Sequence, residues 1–255
     1  MTHTTQFQWM SASCSHVGLV RQINEDACLD EPKRGLWVVA DGMGGHTLGD
    51  LASRMIVDAM SDMPPADNLD SFAAEARARL QAVNRNLRDE AALRNAQVIG
   101  STVVVLLAYG DQCAYLWAGD SRIYLYRNGR LLPLTRDHSQ LEELRSSGNL
   151  TELTLSLVGR NLITRAVGAA DTLDIEEGTI EVHDGDMFLL CSDGLSNEVT
   201  DEEMRSALIA GDCRLASETL LDMALQHGGR DNISVVVVRA EDMASTEKTV
   251  MNPAI

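Results

Sequence analysis

Residues 37–45 read WVVADGMGG, an apolar run that stops at an aspartate-glycine turn. Three more stretches place an apolar run beside an aspartate turn: AYLWAGDSR at 114–122, MFLLCSDGL at 187–195 and GGRDNISVVVV at 228–238. The four aspartates are Asp41, Asp120, Asp193 and Asp231. Strands from distant parts of a chain can bring their ends to one place. The pattern therefore predicts that these four carboxylates meet.

A single Asp-Gly pair is weak evidence, because Asp and Gly are ordinary turn residues at strand ends. Ser, Asn or Gly would serve a polar turn equally well, so an aspartate in all four turns favours a chemical role. Clustered carboxylates raise one another's pKa unless a cation lies between them. A site of carboxylates and water suits Mg²⁺ or Mn²⁺, whereas Zn²⁺ prefers His and Cys. The sequence therefore favours a metal site over ordinary turn chemistry.

The composition is that of a globular protein, with 45% hydrophobic and 23% charged residues in a chain of 255. The 38 acidic and 21 basic residues give a net charge of −17, which argues against nucleic acid or an anionic membrane as the main partner. The five cysteines are scattered and form no C-x-x-C pair, which is typical of reduced thiols in a cytosolic protein. No segment approaches the ~20 apolar residues of a membrane span, so we expect a soluble, cytoplasmic protein.

Short β-type runs alternate with amphipathic helical stretches along the chain. Strands are predicted at 36–40, 101–109, 112–117, 123–127, 187–191 and 233–239. Helices are predicted at 50–60, at 71–93, from the acidic turn that follows Thr200, and at 215–226. Turns at 109–112 and 127–130 predict hairpins, the second through its Asn-Gly pair. Paired helices between runs of strands indicate an α+β fold in which helices cover antiparallel sheets.

The domain organisation is simple. No linker rich in Pro, Gly or Ser divides the chain, so residues 1–243 are predicted to form a single domain. The polar residues 244–255 are expected to be a disordered tail. Residues 139–160 form an insertion with a short helix, a Gly-Asn break and a mixed polar stretch. Such an insertion acts as a lid or substrate-binding flap, or is a surface loop without a role, and both readings stay open.

Eight motifs follow one another in order along the chain. They are GLVRQINEDA at 18–27, VADGMGGH at 39–46, GST at 100–102, GDSRIY at 119–124, LTRDHS at 134–139, NLITRAVG at 161–168, LLCSDGL at 189–195 and GRDNISV at 229–235. Over residues 14–239 the chain resembles the bacterial branch of the PPM (PP2C-like) metal-dependent protein serine/threonine phosphatases. The resemblance implies a PP2C-like α-β-β-α sandwich, in which two antiparallel sheets are flanked by helix pairs, with a small flap insertion.

The resemblance also implies a dinuclear Mn²⁺ or Mg²⁺ centre and assigns its ligands. Asp41 matches the carboxylate that bridges both ions, and the backbone carbonyl of Gly42 matches a ligand of one of them. Asp193 and Asp231 match the ligands of the other ion. Glu25 matches a residue that holds the second metal through water.

Three further positions complete the implied site. Asp120, together with Asp193, matches a third, weaker metal site found in bacterial members. Asp26 matches an acidic neighbour of the site. Arg21 matches the residue that contacts the substrate phosphate, a role that suits a planar guanidinium able to bind two phosphate oxygens at once.

The implied mechanism needs no protein nucleophile, because two divalent ions lower the pKa of a bridging water and neutralise charge on the phosphoryl group. The leaving alkoxide still requires a proton. Eukaryotic-type members have a His two positions after the bridging aspartate, where this chain has Met43. His46 and a metal-bound water are the candidate general acids. His138 is a weaker candidate, which is expected instead to orient its loop.

The predicted function is hydrolysis of phosphoserine and phosphothreonine on proteins, in opposition to a bacterial Ser/Thr kinase. A monomer without nucleic-acid or membrane partners is expected. Two other classes stay open: a catalytically silent PPM-like binding module, and a hydrolase of a non-protein phosphoester. The chain departs from its relatives at Asn197, where many have an acid that supports the metal shell, and in the flap, where no His-Pro precedes Arg160-Asn161.

Overall fold

The computed structural model describes residues 7–44, 48–147 and 162–243. Its strands are β1 (Phe7–His16), β2 (Asp26–Glu31), β3 (Leu36–Met43), β4 (Gly100–Ser101), β5 (Val103–Tyr109), β6 (Gln112–Ala118), β7 (Arg122–Arg127), β8 (Arg130–Pro133), β9 (Glu176–Glu181), β10 (Met187–Cys191) and β11 (Ile233–Asp242). Its helices are α1 (Leu48–Ser61), α2 (Leu69–Arg94), α3 (Gln140–Ser146), α4 (Asp193–Ser196), α5 (Asp201–Leu208) and α6 (Cys213–Gln226).

The strands form two antiparallel sheets. The first sheet has the strand order β1-β11-β10-β7-β8, and the second has the order β2-β3-β5-β6-β9, with the short β4 beside β3. The longest pairing joins β1 to β11, from Phe7 opposite Asp242 to His16 opposite Ile233. Strands that are far apart in the sequence are therefore neighbours in the first sheet.

Alternation of side chains along each strand divides the core into three layers. In β3, Trp37 and Val39 pack between the two sheets, whereas Val38 packs against α1 and α2. Residues of the central layer include Trp37, Leu106, Phe188 and Val236. The outer layers bury Ile56 and Leu80 of α1 and α2 on one side, and Met204 and Leu220 of α5 and α6 on the other. The arrangement is the α-β-β-α sandwich that the resemblance implied.

Helix α2 shows how local sequence fixes an element. Asn68 and Ser71 form a reciprocal capping box at its start, and Asn95 ends it in the left-handed conformation with φ 53°. The predicted apolar stripe is buried against the second sheet: Phe72, Ala76, Leu80, Val83, Leu87 and Ala91. Full burial of a Leu or Phe side chain contributes roughly 1.5–3 kcal/mol, so this stripe holds the helix on the sheet.

The structure confirms the predicted strands and helices, with boundaries that shift by a few residues. The predicted strand 101–109 is interrupted at Thr102, whose Oγ1 accepts a hydrogen bond from the backbone N–H of Asp41 at 3.2 Å. The hairpin at 127–130 is also confirmed, with φ of 52° at Asn128 and 76° at Gly129. Positive φ at both central residues is the geometry for which Asn-Gly is favoured.

Three strands were not predicted: β1, β2 and β9. Two of them, β2 and β9, lie at the edges of the second sheet, and β1 lies at an edge of the first. None of the three contains a run of buried residues, and β9 reads EEGTIE, so no long apolar run marks them.

Several predicted features lie outside the described residues. These are His46, the part of the flap from 148 to 160, and the tail 244–255. Among the helices that the structure describes, none combines the length and the apolar character that crossing a membrane requires.

Candidate metal centre

Asp41 lies within β3, at the position opposite Asp26 of β2. Thr102 fixes its backbone on the other side, because the Thr102 N–H donates to the Asp41 carbonyl at 2.8 Å. The Thr102 Oγ1 in turn lies 2.7 Å from the Ser121 hydroxyl oxygen, beside Asp120. The prediction of a turn at Asp41 is wrong, because β3 continues to Met43. Backbone and hydroxyl contacts thus join a strand residue, Asp41, to the turn of Asp120.

Gly42 is required by close packing. A Cβ atom at this position would lie 2.0 Å from the Gly49 carbonyl oxygen and 2.6 Å from the Glu25 carbonyl oxygen. The Gly42 N–H donates to that Glu25 carbonyl at 3.1 Å, and the Gly49 N–H at the start of α1 donates to the Glu25 side chain at 3.2 Å. The absent side chain therefore lets β3, α1 and Glu25 meet beside Asp41.

Asp193 and Asp231 come from the first sheet, after β10 and before β11 respectively. A Cβ atom on Gly194 would lie 1.9 Å from the Asn232 carbonyl oxygen, so a glycine allows the two turns to touch. Asn197 Nδ2 donates to Asp193 Oδ2 at 3.0 Å. The charge of Asp193 raises the pKa of Asp41, so aspartates of the two sheets lie near each other.

The carboxylates of the cluster repel one another when no cation lies among them. Burial raises the pKa of Asp41 well above its usual value, and the carboxylates of Asp26, Asp193 and Asp120 raise it further. Burial, followed by the charge of Asp193, raises the pKa of Asp120 to about 7. Asp26 reaches a pKa of about 7, again chiefly through burial. Positive charge among these groups would restore their ionised forms.

Two buried carboxylate oxygens have no hydrogen-bond partner among the described residues: Asp26 Oδ1 and Asp120 Oδ1. Buried polar atoms are almost always satisfied, so such atoms call for an explanation. In the described part of the chain, no three His, Cys, Asp or Glu side chains are placed so that they could hold a metal ion together. The residues fit a divalent cation that takes the rest of its oxygen shell from a backbone carbonyl and water, as Mg²⁺ does.

Arg21 reaches the cluster from the loop between β1 and β2. Its Nη2 donates to Asp231 Oδ2 at 2.7 Å, while the side chain stays 54% exposed. Asp231 raises the pKa of Arg21 by hydrogen bonding and by charge. The guanidinium is therefore a fixed positive charge at the solvent edge of an acidic site.

Asn232 organises this loop, a role that the sequence did not reveal. Its Oδ1 accepts the Glu25 N–H at 2.8 Å, and its Nδ2 donates to the carbonyls of Val17 and Ile23 at 2.9 Å each. Asn232 is buried and follows Asp231 directly. One side chain thus fixes both ends of the loop that carries Arg21.

His138 is an orienting residue in the structure. Its side-chain Nδ1 accepts the Gly119 N–H at 3.1 Å, and the backbone N–H of His138 donates to the Gly119 carbonyl at 2.9 Å. The ring is buried, stacks on Trp117 at 5.9 Å, and places Nε2 3.2 Å from Glu176 Oε1. Burial and the charge of Arg165 lower its pKa. His138 therefore supports the turn of Asp120 rather than facing the cluster.

The neighbouring hydroxyls and thiol are also engaged in structure. The Ser192 hydroxyl donates to Asp26 Oδ2 at 2.8 Å, and the Ser121 hydroxyl is paired with Thr102. Burial raises the pKa of the Cys191 thiol to about 12, so it is not a thiolate near neutral pH. None of the three is arranged as an activated nucleophile.

Known proteins share this fold and this arrangement of motifs. The chain matches the model of the family "Protein phosphatase 2C" over residues 12–227. It belongs to the protein phosphatase 2C family, in its bacterial branch.

Two relatives are serine/threonine protein phosphatase PstP from Mycobacterium tuberculosis and protein phosphatase PhpP from Streptococcus pneumoniae. PstP is 36% identical over 239 residues, which cover 91% of this chain and 45% of PstP. The chain thus spans about half the length of PstP. PhpP is 34% identical over 235 residues, which cover 87% of this chain and 94% of PhpP.

Two solved structures are also similar. PppA, described as a key regulatory component of T6SS in Pseudomonas aeruginosa, has a TM-score of 0.86 and 44% identity, over 92% of this chain and 99% of that chain. The catalytic domain of PstP in complex with two manganese ions has a TM-score of 0.82 and 32% identity, over 93% and 100% of the two chains.

Proposed function

We propose that this chain is a metal-dependent phosphatase that hydrolyses phosphoserine and phosphothreonine on proteins. The observation that carries the proposal is the meeting of acidic turns from both sheets with the Arg21 guanidinium, 2.7 Å from Asp231. The similarity to PstP and PhpP, both named as protein phosphatases, supports the same activity.

The acidic cluster would hold two divalent ions, either Mn²⁺ or Mg²⁺. Asp41, the Gly42 carbonyl, Asp193 and Asp231 are the proposed ligands, and Glu25 is proposed to act through water. Asp120, which has one buried oxygen without a partner in the described ranges of the chain, is proposed for a third, weaker ion. When bound, such ions lower the pKa of water and neutralise phosphoryl charge.

Arg21 is proposed to bind the phosphate of the substrate. Its guanidinium presents a planar set of donors that matches two phosphate oxygens. Its contact with Asp231 orients it toward the cluster, and its 54% exposed side chain is accessible to an incoming phosphoprotein. A phosphate bound there would lie beside the acidic cluster.

The proton for the leaving alkoxide is proposed to come from His46 or from water. His138 does not serve, because its Nδ1 accepts the Gly119 N–H and Nε2 faces Glu176. The thiol of Cys191 and the hydroxyls of Ser121 and Ser192 are committed to packing or to hydrogen bonds, so direct attack by water is favoured over a covalent intermediate.

The biological setting that we propose is opposition to a bacterial Ser/Thr kinase, in control of a T6SS. The 44% identity to PppA, over nearly the whole of both chains, supports this setting. Expression of this chain in a P. aeruginosa strain that lacks PppA tests it. Restored T6SS regulation is expected, and failure of a stably expressed, active chain to restore it argues for another pathway.

The biochemical test measures phosphate release from phosphothreonine peptides with Mn²⁺ and with chelator. Asp193→Asn is the test variant, and Asp222→Asn, at an exposed position of α6, is its matched control. Activity is expected with Mn²⁺ and for Asp222→Asn, and loss is expected with chelator and for Asp193→Asn. Activity that survives chelation, or a fully active Asp193→Asn, contradicts the metal mechanism. Binding without turnover would favour the silent module, and turnover of small phosphoesters alone would favour the other hydrolase.

A further inference from the structure

Three apolar side chains are exposed together in the loop that carries Arg21. Leu19 and Val20 are each 65% exposed, and Ile23 is 42% exposed. Single exposed apolar residues are common on protein surfaces and need no explanation. Within the described ranges of the chain, no other span of five residues contains three of the large exposed apolar side chains. This concentration therefore calls for a reason.

The loop is fixed in place, so the exposure does not arise from a loosely attached segment. The Leu19 N–H donates to the Gly229 carbonyl at 2.7 Å, and Asn232 holds the carbonyls of Val17 and Ile23. At Gly18, φ is +81° and a Cβ atom would lie 2.2 Å from the Asp231 carbonyl oxygen. Only glycine allows this approach, so the loop lies directly on the Asp231 turn.

The exposed apolar side chains flank Arg21, the proposed phosphate ligand, in the same loop. Arg21 follows Val20 directly and precedes Ile23 by two positions, and its guanidinium contacts Asp231. Arg21 is the only charged residue in the segment 17–24, which reads VGLVRQIN. A peptide whose phosphate binds Arg21 would therefore lie next to a loop that has no other charge and that exposes three apolar side chains.

The opposite side of the cluster has a different character. A cleft of about 230 Å³ opens beside Asp120 and Asp193. Its charged lining residues are Asp120, Arg122, Asp137, Glu142, Arg145 and Asp193. An apolar side chain would displace water from charged groups there, whereas on the loop it would cover apolar surface. The two sides of the site thus offer different environments to the residues that flank the phosphate.

We propose that Leu19, Val20 and Ile23 form an apolar ledge that binds a hydrophobic side chain next to the phosphorylated residue of a protein substrate. The ledge would determine which phosphosites the enzyme prefers, in addition to the phosphate contact made by Arg21. This inference rests on the proposed phosphatase function. The occupant is an extended phosphopeptide segment with a Leu, Ile, Val or Met beside its phosphothreonine or phosphoserine.

The test compares phosphothreonine peptides that differ at one neighbouring position, Leu or Ser, made for each side of the phosphothreonine. Initial rates with Mn²⁺ give kcat and KM for the wild-type chain, Val20→Ser and Ile23→Ser. Leu93→Ser and Ile209→Ser are matched controls, since these side chains are 77% and 58% exposed on α2 and after α5. Turnover of p-nitrophenyl phosphate by the wild type reports the phosphatase activity itself.

The wild type is expected to prefer a Leu peptide about tenfold in kcat/KM, at the lower end of what one apolar contact contributes. The preference is expected to arise from KM, to shrink toward one in Val20→Ser and Ile23→Ser, and to persist in both controls. A wild type that hydrolyses both peptides equally, or ledge variants that keep the full preference, overturn the ledge and leave the phosphatase function intact. A wild type that hydrolyses neither the peptides nor p-nitrophenyl phosphate overturns the proposed function as well.

Discussion

Asn232→Ala is expected to destabilise the protein and to weaken metal binding together. The substitution removes three hydrogen bonds, to the Glu25 N–H and to the carbonyls of Val17 and Ile23. A net contribution of about 1 kcal/mol for each bond gives a loss of about 3 kcal/mol in the free energy of unfolding. Ile23 lies in an exposed part of the loop, where water can replace the lost Asn232 side chain as partner of the Ile23 carbonyl. The estimate therefore does not include the larger cost of leaving a buried polar group unsatisfied.

Urea unfolding in the presence of chelator measures the stability change, which is read from the midpoint at an unchanged slope. Calorimetric titration with Mn²⁺ measures the second effect. Residues that orient metal ligands typically contribute 10-fold to 100-fold in affinity, so we expect Mn²⁺ binding at least about tenfold weaker in Asn232→Ala.

Asn84→Ala is the matched control. Asn84 is also buried, and its side chain accepts the Gly168 N–H at 2.6 Å and donates to the Ala170 carbonyl at 3.0 Å. It is expected to lose about 2 kcal/mol of stability with no change in Mn²⁺ affinity. A loss below about 1 kcal/mol in Asn232→Ala, or equal loss of Mn²⁺ affinity in both variants, would refute the role assigned to Asn232.

Further predictions concern packing, orientation, ion binding and pH. Gly42→Ala should lower the urea midpoint more than Gly110→Ala, because the new Cβ atom has open space only at position 110. Gly110→Ala should still cost about 1–2 kcal/mol, because position 110 has a positive φ. His138→Phe should keep the stacking on Trp117 but unfold about 1–3 kcal/mol more easily, because the Gly119 N–H loses its acceptor. Mn²⁺ at 100 times its Kd should stabilise the chain by about 2.7 kcal/mol, and an unchanged Tm would contradict an ion site. In chelator, the free energy of unfolding should fall as pH rises from 3.8 to about 7, because burial raises the pKa of Asp120 to about 7 and the folded state then binds a proton that the unfolded state has lost. A urea midpoint that rises over this range would contradict the claim that Asp120 is buried without a compensating charge.

Local sequence patterns were sufficient for the central strands and the long helices. The run WVVA at 37–40 is buried on both faces of a sheet that lies between another sheet and two helices, so it is apolar throughout. The Asn128-Gly129 pair specified its hairpin because both residues adopt positive φ. The edge strands β1, β2 and β9 escaped prediction because none of them contains a run of buried apolar residues.

The contacts that build the site were not predictable from such patterns. Asn232 bonds to Val17 and Ile23 across 215 and 209 positions of sequence. From local pattern alone, Gly42 is an ordinary turn glycine. Only the structure explains why no side chain fits, because a Cβ atom there would lie 2.0 Å from the Gly49 carbonyl oxygen. The ion pair of Arg21 with Asp231 likewise depends on the pairing of β1 with β11.

The sequence by itself determined the α+β class, the central strands and the position of Asp120, Asp193 and Asp231 near strand ends, because apolar periodicity and turn chemistry act over a few residues; Asp41 instead lies within β3. Tertiary structure alone decided that the charge of Asp193 acts on Asp41, that Asp120 keeps an oxygen without a partner in the described residues, and that the loop of Arg21 lies on the Asp231 turn. These contacts follow from strand order and sheet packing, which join residues far apart in the chain and leave no local signal.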